Sequence, residues 1–302
     1  MNFLNQGRVN IVITNKVLRY AYSKNPSTEG ITSHGEITLP AGTIKDGTIV
    51  DKSAFYKIIE DLVQTHKWKR KKLHFAIPDD TVVIRKVQIP SALTQEESSG
   101  YIRTQLGNSF YLPFANPAIA TEFLEANGES RDALLFAYPK DKLHAFEVSF
   151  EDAGLKPTGA DLTSLSVYRY YFKNAVQPGE NHVLLIHWNE DSLVLTAFQQ
   201  HKAIFTRYMK VETSKEELTE EYAMQIISEH LIEINRIIDF YQYSITKGES
   251  RINQLLLSGD FSFLNEAKEQ LIDTVPLPVY TFNHEKFAEK YTDVLGLSIK
   301  PD

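Results

Sequence analysis

The run Val9-Asn10-Ile11-Val12-Ile13-Thr14, then Asn15-Lys16, then Val17-Leu18-Arg19-Tyr20-Ala21-Tyr22 decides the fold. Two stretches rich in β-branched and aromatic residues around a polar pair read as a hairpin. A third strand near Ile31–Leu39 completes a meander. Asp51 then caps a helix to about His66, with Phe55, Ile58, Ile59, Leu62 and Val63 on one apolar face. Leu73–Ile77 follows as a short buried strand. The same grammar returns late in the chain. His182–Trp188, Leu193–Gln199 and Lys202–Tyr208 form a second meander, and a long helix runs from about Lys215 to Tyr243. Asn253–Leu257 is then a strand, Phe261–Ile272 a helix and Val279–Phe282 a short last strand. A duplicated unit of this kind is the signature of an actin-like α/β fold with two βββαβ halves.

The middle of the chain differs in texture. Val82–Ile89 is a strand after the turn Pro78-Asp79-Asp80, and Thr94 with Glu97 has the spacing of a capping box that opens a helix to about Leu106. Phe110–Pro117 holds two prolines and reads as irregular. Strands near Ala118–Leu124 and Ala133–Tyr138 precede a helix that starts after Pro139 and stops at Gly154. Leu155–Asp161 is a strand, Thr163–Asn174 a helix, and Asn174–Asn181 a linker. The expected organisation is a first actin-like subdomain of residues 1–84 plus 155–178, an inserted small α+β subdomain of 85–154, and a second actin-like subdomain of 179–302.

Composition narrows the chemistry. Cysteine is absent from the 302 residues, which excludes disulfides, zinc–thiolate sites, iron–sulfur clusters and cysteine nucleophiles. Hydrophobic residues make up 42% and charged residues 24%, a globular balance without an apolar run long enough to span a bilayer. No signal-peptide core is visible at the start, so a cytoplasmic protein is expected. A net charge of −7 argues against general binding of nucleic acid. Glycine is absent between Gly7 and Gly30 and between Gly179 and Gly248. Loops that wrap phosphate with backbone N–H groups use glycine to approach closely, so the hairpin that opens each meander lacks the usual means.

At this point the residues resemble a family. Leu39-Pro40-Ala41-Gly42-Thr43-Ile44-Lys45-Asp46-Gly47-Thr48-Ile49 resembles the "LPxGxxxDGxI" segment of PilM proteins, FtsA-related actin-like components of type IV pilus, competence and secretion machines. Leu73–Pro78, Val83–Pro90, Leu93–Glu97, Leu112-Pro113-Phe114, Glu151–Leu155 with Asp161, and Glu233, Arg236, Asp239, Phe240 and Tyr241 follow in the family's order. The insert is accordingly expected to be FtsA-like.

The departures fall on the nucleotide elements. The resemblance places Val12 where the family has a magnesium-holding Asp, Thr14 at a Gly, and Arg19 at a Lys. In the second hairpin His187 replaces an Asp and Asn189 a Gly. The adenosine-side segment is Ser258-Gly259-Asp260, with a carboxylate in place of glycine that would repel phosphate. The implied nucleotide site is therefore degenerate at Val12, Thr14, Asn15, Lys16, His187, Asn189, Glu233, Arg236, Ser258, Gly259 and Asp260. No catalytic residue, metal ligand or cofactor is expected. The alternative is an ATP-binding or ATP-hydrolysing protein in which Asn15, Lys16 and Asn189 contact phosphates and Glu233 and Arg236 lie near the nucleoside. A sugar-kinase-like transferase would need a cleft carboxylate that the sequence does not identify.

The implied partner is a PilN-like membrane protein, whose short N-terminal tail the resemblance places in a groove bordered by Val82–Ile89 and Leu155–Asp161. Lys67, Lys69, Arg70, Lys71 and Lys72 form the dense basic run, either a solvated loop or a contact to an anionic membrane. His230 and Glu233, three apart on a helix, make too small a set for a metal, and Asp79-Asp80 reads as a turn.

Overall fold

The computed structural model describes residues 7–174, 182–212 and 219–301. In chain order the first part comprises β1 (Arg8–Ile13), β2 (Val17–Ser23), β3 (Ile31–Thr38), the short pair β4 (Ile44–Lys45) and β5 (Thr48–Ile49), α1 (Lys52–His66) and β6 (Lys72–Ile77). The middle adds β7 (Val83–Pro90), α2 (Gln95–Gln105), β8 (Pro117–Asn127), β9 (Ser130–Pro139), α3 (Lys140–Asp152), β10 (Lys156–Leu162) and α4 (Thr163–Asn174). The last part holds β11 (Val183–Trp188), β12 (Ser192–Gln199), β13 (Lys202–Lys210), α5 (Glu220–Phe240), β14 (Gln254–Gly259), α6 (Leu264–Thr274), β15 (Val279–Thr281) and α7 (Thr292–Ser298).

Two five-stranded sheets share one topology. The first runs β10-β6-β1-β2-β3 and the second β15-β14-β11-β12-β13. In each, an antiparallel meander continues into parallel strands: β1 pairs with β2 and β6, and β11 with β12 and β14. The register puts Val12 opposite Arg19 in the first sheet and His187 opposite Val194 in the second, as equivalent positions of the duplicated unit. A separate antiparallel sheet, β7-β9-β8, lies between β6 and β10 in sequence and has its own small core of Val87, Ile89, Ile102 and Leu135.

The local signals act where they are expected. Asp51 Oδ1 accepts from Ala54 N at 2.9 Å and starts α1, and Thr94 and Glu97 form the capping box of α2. Gly154 ends the α3 segment at φ +92, a left-handed conformation that glycine takes without a Cβ penalty. The Lys215 start of the long helix and most of the Asn174–Asn181 linker fall outside the described residues. Helix α5 ends at Phe240 in a π turn over Tyr241–Ile245. Helix α6 begins at Leu264 and not at Phe261, because Phe261 stacks on Trp188 at 5.2 Å between ring centres and donates its N–H to the Trp188 carbonyl.

Two elements serve a different part of the fold from the one their sequence position suggests. Helix α3 lies within the 85–154 segment, yet its Phe146 and Phe150 pack on Phe55 and Phe75 in the core of the first half. Helix α7 follows the second half but returns to the first: Val294 and Leu297 pack on Val12, Ala21 and Ala76. Gly296 meets α4 so closely that a Cβ there would stand 1.8 Å from the Ser166 carbonyl oxygen. The chain thus crosses between its halves twice, once before β11 and once after β15.

Candidate functional site

The two hairpin turns face each other across a cleft. In the first, Thr14 Oγ1 accepts from Lys16 N at 3.2 Å and Val17 N at 2.9 Å, so these two N–H groups are used within the turn. Asn15 Oδ1 accepts from Gly47 N at 3.0 Å, and Lys16 Nζ reaches across to the Glu190 carbonyl at 3.4 Å. In the second, Asn189 N donates to Ser192 O at 2.7 Å. Ile13, Thr14, Asn15, Asp79, Thr163, His187, Asn189 and Tyr208 line a cavity of about 20 Å³. That volume holds about one water. Both ring nitrogens of His187 and Oδ1 of Asn189 are buried there without a hydrogen-bond partner. Burial lowers the pKa of His187 against the pull of Asp293 and Asp260, and Arg19 adds to the lowering.

Beside the cavity stands a cluster of charges. Arg19 is fully buried and binds three carboxylates, from β3, from α7 and from the segment after β14. Its Nε donates to Glu36 Oε2 at 2.7 Å, its Nη1 to Asp293 Oδ2 at 2.7 Å, and its Nη2 to Asp260. Asp260 Oδ1 also accepts from Glu190 N at 3.0 Å, and Lys290 Nζ pairs with Glu36 at 2.8 Å. Burial alone would lower the arginine's pKa, but Asp293, Asp260 and Glu36 outweigh it and hold the guanidinium above its ordinary value. Glu36 is likewise raised by burial, yet Lys290 and Arg19 bring it below the usual carboxylate range. Two replacements that appear separate along the chain, Arg19 and Asp260, are therefore partners across the two halves. Gly259, at φ +135, is needed because a Cβ there would lie 1.8 Å from the Trp188 carbonyl oxygen.

The other positions disperse. Val12 points into the α7 packing, and Ser258 is buried beside His187. Glu233 and Arg236 pair with each other on the exposed side of α5, away from the cavity. His230 Nδ1 meets the Ile226 carbonyl at 2.7 Å. Among the described residues no group of three or more His, Cys, Asp or Glu lies close enough to share a metal. Asp79 accepts from Thr163 N at 3.2 Å and Ser164 N at 3.0 Å and so caps α4, while Asp80 pairs with Lys142 at 3.3 Å.

Burial pushes the Asp79 carboxyl up to about 7, against the pull of those two N–H donors. A carboxyl raised in the native state holds a proton that the unfolded chain releases, so it costs stability progressively as pH rises from about 4 to 7. Asp79→Asn is expected to flatten this part of the stability profile, measured by urea unfolding across that window. An unaltered profile would show that the capping bonds keep Asp79 ionised throughout.

A second concavity, of about 440 Å³, opens between the first sheet and the middle sheet. Its walls are the outer strand β8 (Ala118–Glu122) on one side and the outer strand β10 (Ala160–Leu162) on the other, over a floor that includes Ile77, Phe136 and Leu165. The insert-side wall is β8 where the sequence pointed to Val82–Ile89; only Val82 of that segment lines it. The order β7-β9-β8 explains the difference, because it leaves β8 at the edge facing β10. Lys300 Nζ donates to the Ala160 carbonyl at 3.1 Å and pairs with Asp161 at 3.2 Å. Lys300, Glu36 and Asp293 were not singled out in the sequence. The one available hint was a carboxylate inside the apolar stretch Thr292–Ser298.

Two like-wound sheets joined by exchanged helices define the actin-like class. Solved structures agree: an ethanolamine utilization protein EutJ from Carboxydothermus hydrogenoformans is 10% identical with a TM-score of 0.56, over 97% of this chain and 89% of its own. MreB5 of Spiroplasma citri bound to ADP is 8% identical with a TM-score of 0.52, over 97% and 95%. Residues 16–226 match the model of the type IV pilus assembly protein PilM, and the chain belongs to that family. A chain of a solved PilM–PilN type IV pilus biogenesis complex has a TM-score of 0.81 at 16% identity, over 97% of this chain and 99% of its own. A search of curated protein sequences gives no match.

Proposed function

We propose that this protein is a non-catalytic scaffold of a type IV pilus-like assembly machine. It holds the N-terminal tail of a PilN-like membrane protein between β8 and β10 at the inner face of the cell membrane, and it does so without nucleotide. The Arg19 cluster carries the reading. Magnesium requires oxygen ligands, and Val12 offers none. Two N–H groups of the first hairpin are held by Thr14, the guanidinium of Arg19 is spent on three carboxylates, and the cavity of about 20 Å³ is far below the ~300 Å³ at which ligand pockets begin. A magnesium nucleotide does not fit these residues. The groove keeps what an extended peptide uses, two strand edges and an apolar floor. The solved relative bound to PilN supports the choice of partner.

Titration calorimetry with Mg-ATP and fluorescence anisotropy with the partner's tail peptide test this together. Mg-ATP is expected to give no measurable binding heat or hydrolysis. The peptide is expected to bind with micromolar affinity, unchanged by Mg-ATP, because ordering an extended tail costs conformational entropy at each residue. Micromolar Mg-ATP binding, or tail binding that requires it, would establish the ATP-dependent alternative.

A further inference from the structure

We infer that the end of the first sheet where α1 returns to β6 docks on an anionic lipid bilayer. The loop there is fixed, not loose. Trp68 is buried, stacked on His66 at 4.4 Å between ring centres and on Tyr22 at 5.9 Å. With Trp68 turned inward, Lys67, Lys69, Arg70 and Lys72 are exposed, and Arg70 N ties the loop to the Gly154 carbonyl at 2.7 Å. Lys156, at the start of the neighbouring strand β10, pairs with Lys72 across the sheet and adds another exposed cation. Lys86, Lys142, Arg169, Lys202, Arg236 and Lys290 each meet a carboxylate, and the cations that do not are dispersed along the chain, without another run as dense as residues 67–72. Among the described residues no carboxylate pairs with Lys67, Lys69, Arg70, Lys71 or Lys156, although Glu151 and Asp152 end α3 nearby.

Unpaired, preordered cations on a chain of net charge −7 form a local field of the opposite sign, and such clusters attract anionic leaflets. The choice of a bilayer over other polyanions rests on the groove reading above. Strand β10 begins at Lys156 and walls the groove at Ala160–Leu162, about 13 Å further along at ~3.3 Å per residue. A tail leaving the groove along this strand arrives at the basic end, where the bilayer that anchors it would lie.

The test is sedimentation of the full chain with phosphatidylcholine vesicles, with and without phosphatidylglycerol, in the absence of any tail peptide. Its outcome is then independent of the groove. Binding at least tenfold tighter to the anionic vesicles is expected, and it should fade as the Debye length falls from ~10 Å at 0.1 M salt to ~3 Å at 1 M. The triple variant Lys67→Glu, Lys69→Glu, Lys156→Glu should lose at least tenfold, and the Gln counterparts, which add no negative charge, should fall between. Equal retention on both vesicle types, an unchanged triple variant, or tighter binding to duplex DNA than to anionic vesicles overturns the inference.

Discussion

Truncating Arg19 to alanine is expected to destabilise the protein by about 3–5 kcal/mol, the cost of breaking a buried ion pair by removing one partner. Asp293 has no exposed surface, and without the guanidinium its remaining hydrogen bond among the described residues is from the Val294 amide at 2.6 Å. Asp260 would stay tied to Glu190 N but face the same gap. A whole domain is stable by only about 5–15 kcal/mol, so this one change removes a large fraction. Arg19→Lys should recover part, since it restores charge but not the fork that reaches three carboxylates. The combination Arg19→Met, Asp260→Gly, Asp293→Leu should recover more, because an apolar core can replace a buried ion cluster. Urea unfolding measures all three. A loss under ~1 kcal/mol for Arg19→Ala, the value of an exposed pair, would show that water reaches the cluster.

The second large effect is expected at the groove. Ala120→Arg and Ala160→Arg place a long charged side chain on the facing walls of a space of about 440 Å³. Each should weaken the tail peptide at least tenfold, or ~1.4 kcal/mol. Both alanines are exposed, so the melting temperature should hold and the loss cannot be assigned to unfolding. Ile232→Arg, on the exposed side of α5 at 54% exposure, serves as the control and should leave the affinity unchanged. Full affinity in both alanine variants would move the tail to another surface.

What the sequence made legible was local. The hairpins, the Asp51 cap, the capping box at Thr94 and the glycine stop at 154 each depend on residues a few positions apart. What it left unread depends on distance along the chain. The positions that the resemblance sets apart were visible one by one, but Arg19 and Asp260 are 241 residues apart, and no periodicity reports their contact. Asp260 read alone is a charge that repels phosphate; beside Arg19 it is half of a bond that joins the two halves. The allegiance of α3 was hidden for a similar reason, since Phe146 and Phe150 on an amphipathic helix do not say which sheet they cover. Glu233 and Arg236 were placed near the nucleoside by resemblance, and the structure pairs them with each other at the surface. The groove's second wall followed from strand order, which a single sequence does not state.

The return of α7 also bears on how the molecule is made. Until residues 292–298 leave the ribosome, the face of the first sheet that carries Val12, Ala21 and Ala76 has no cover, and Arg8 lacks the Ser298 and Lys300 carbonyls it binds at 3.1 and 2.7 Å. Strand β1 is thus completed by α7, which is made long after it. The nascent chain therefore carries an open apolar face while the residues between β6 and α7 are made, and a partner or chaperone can cover that face without competition until α7 emerges.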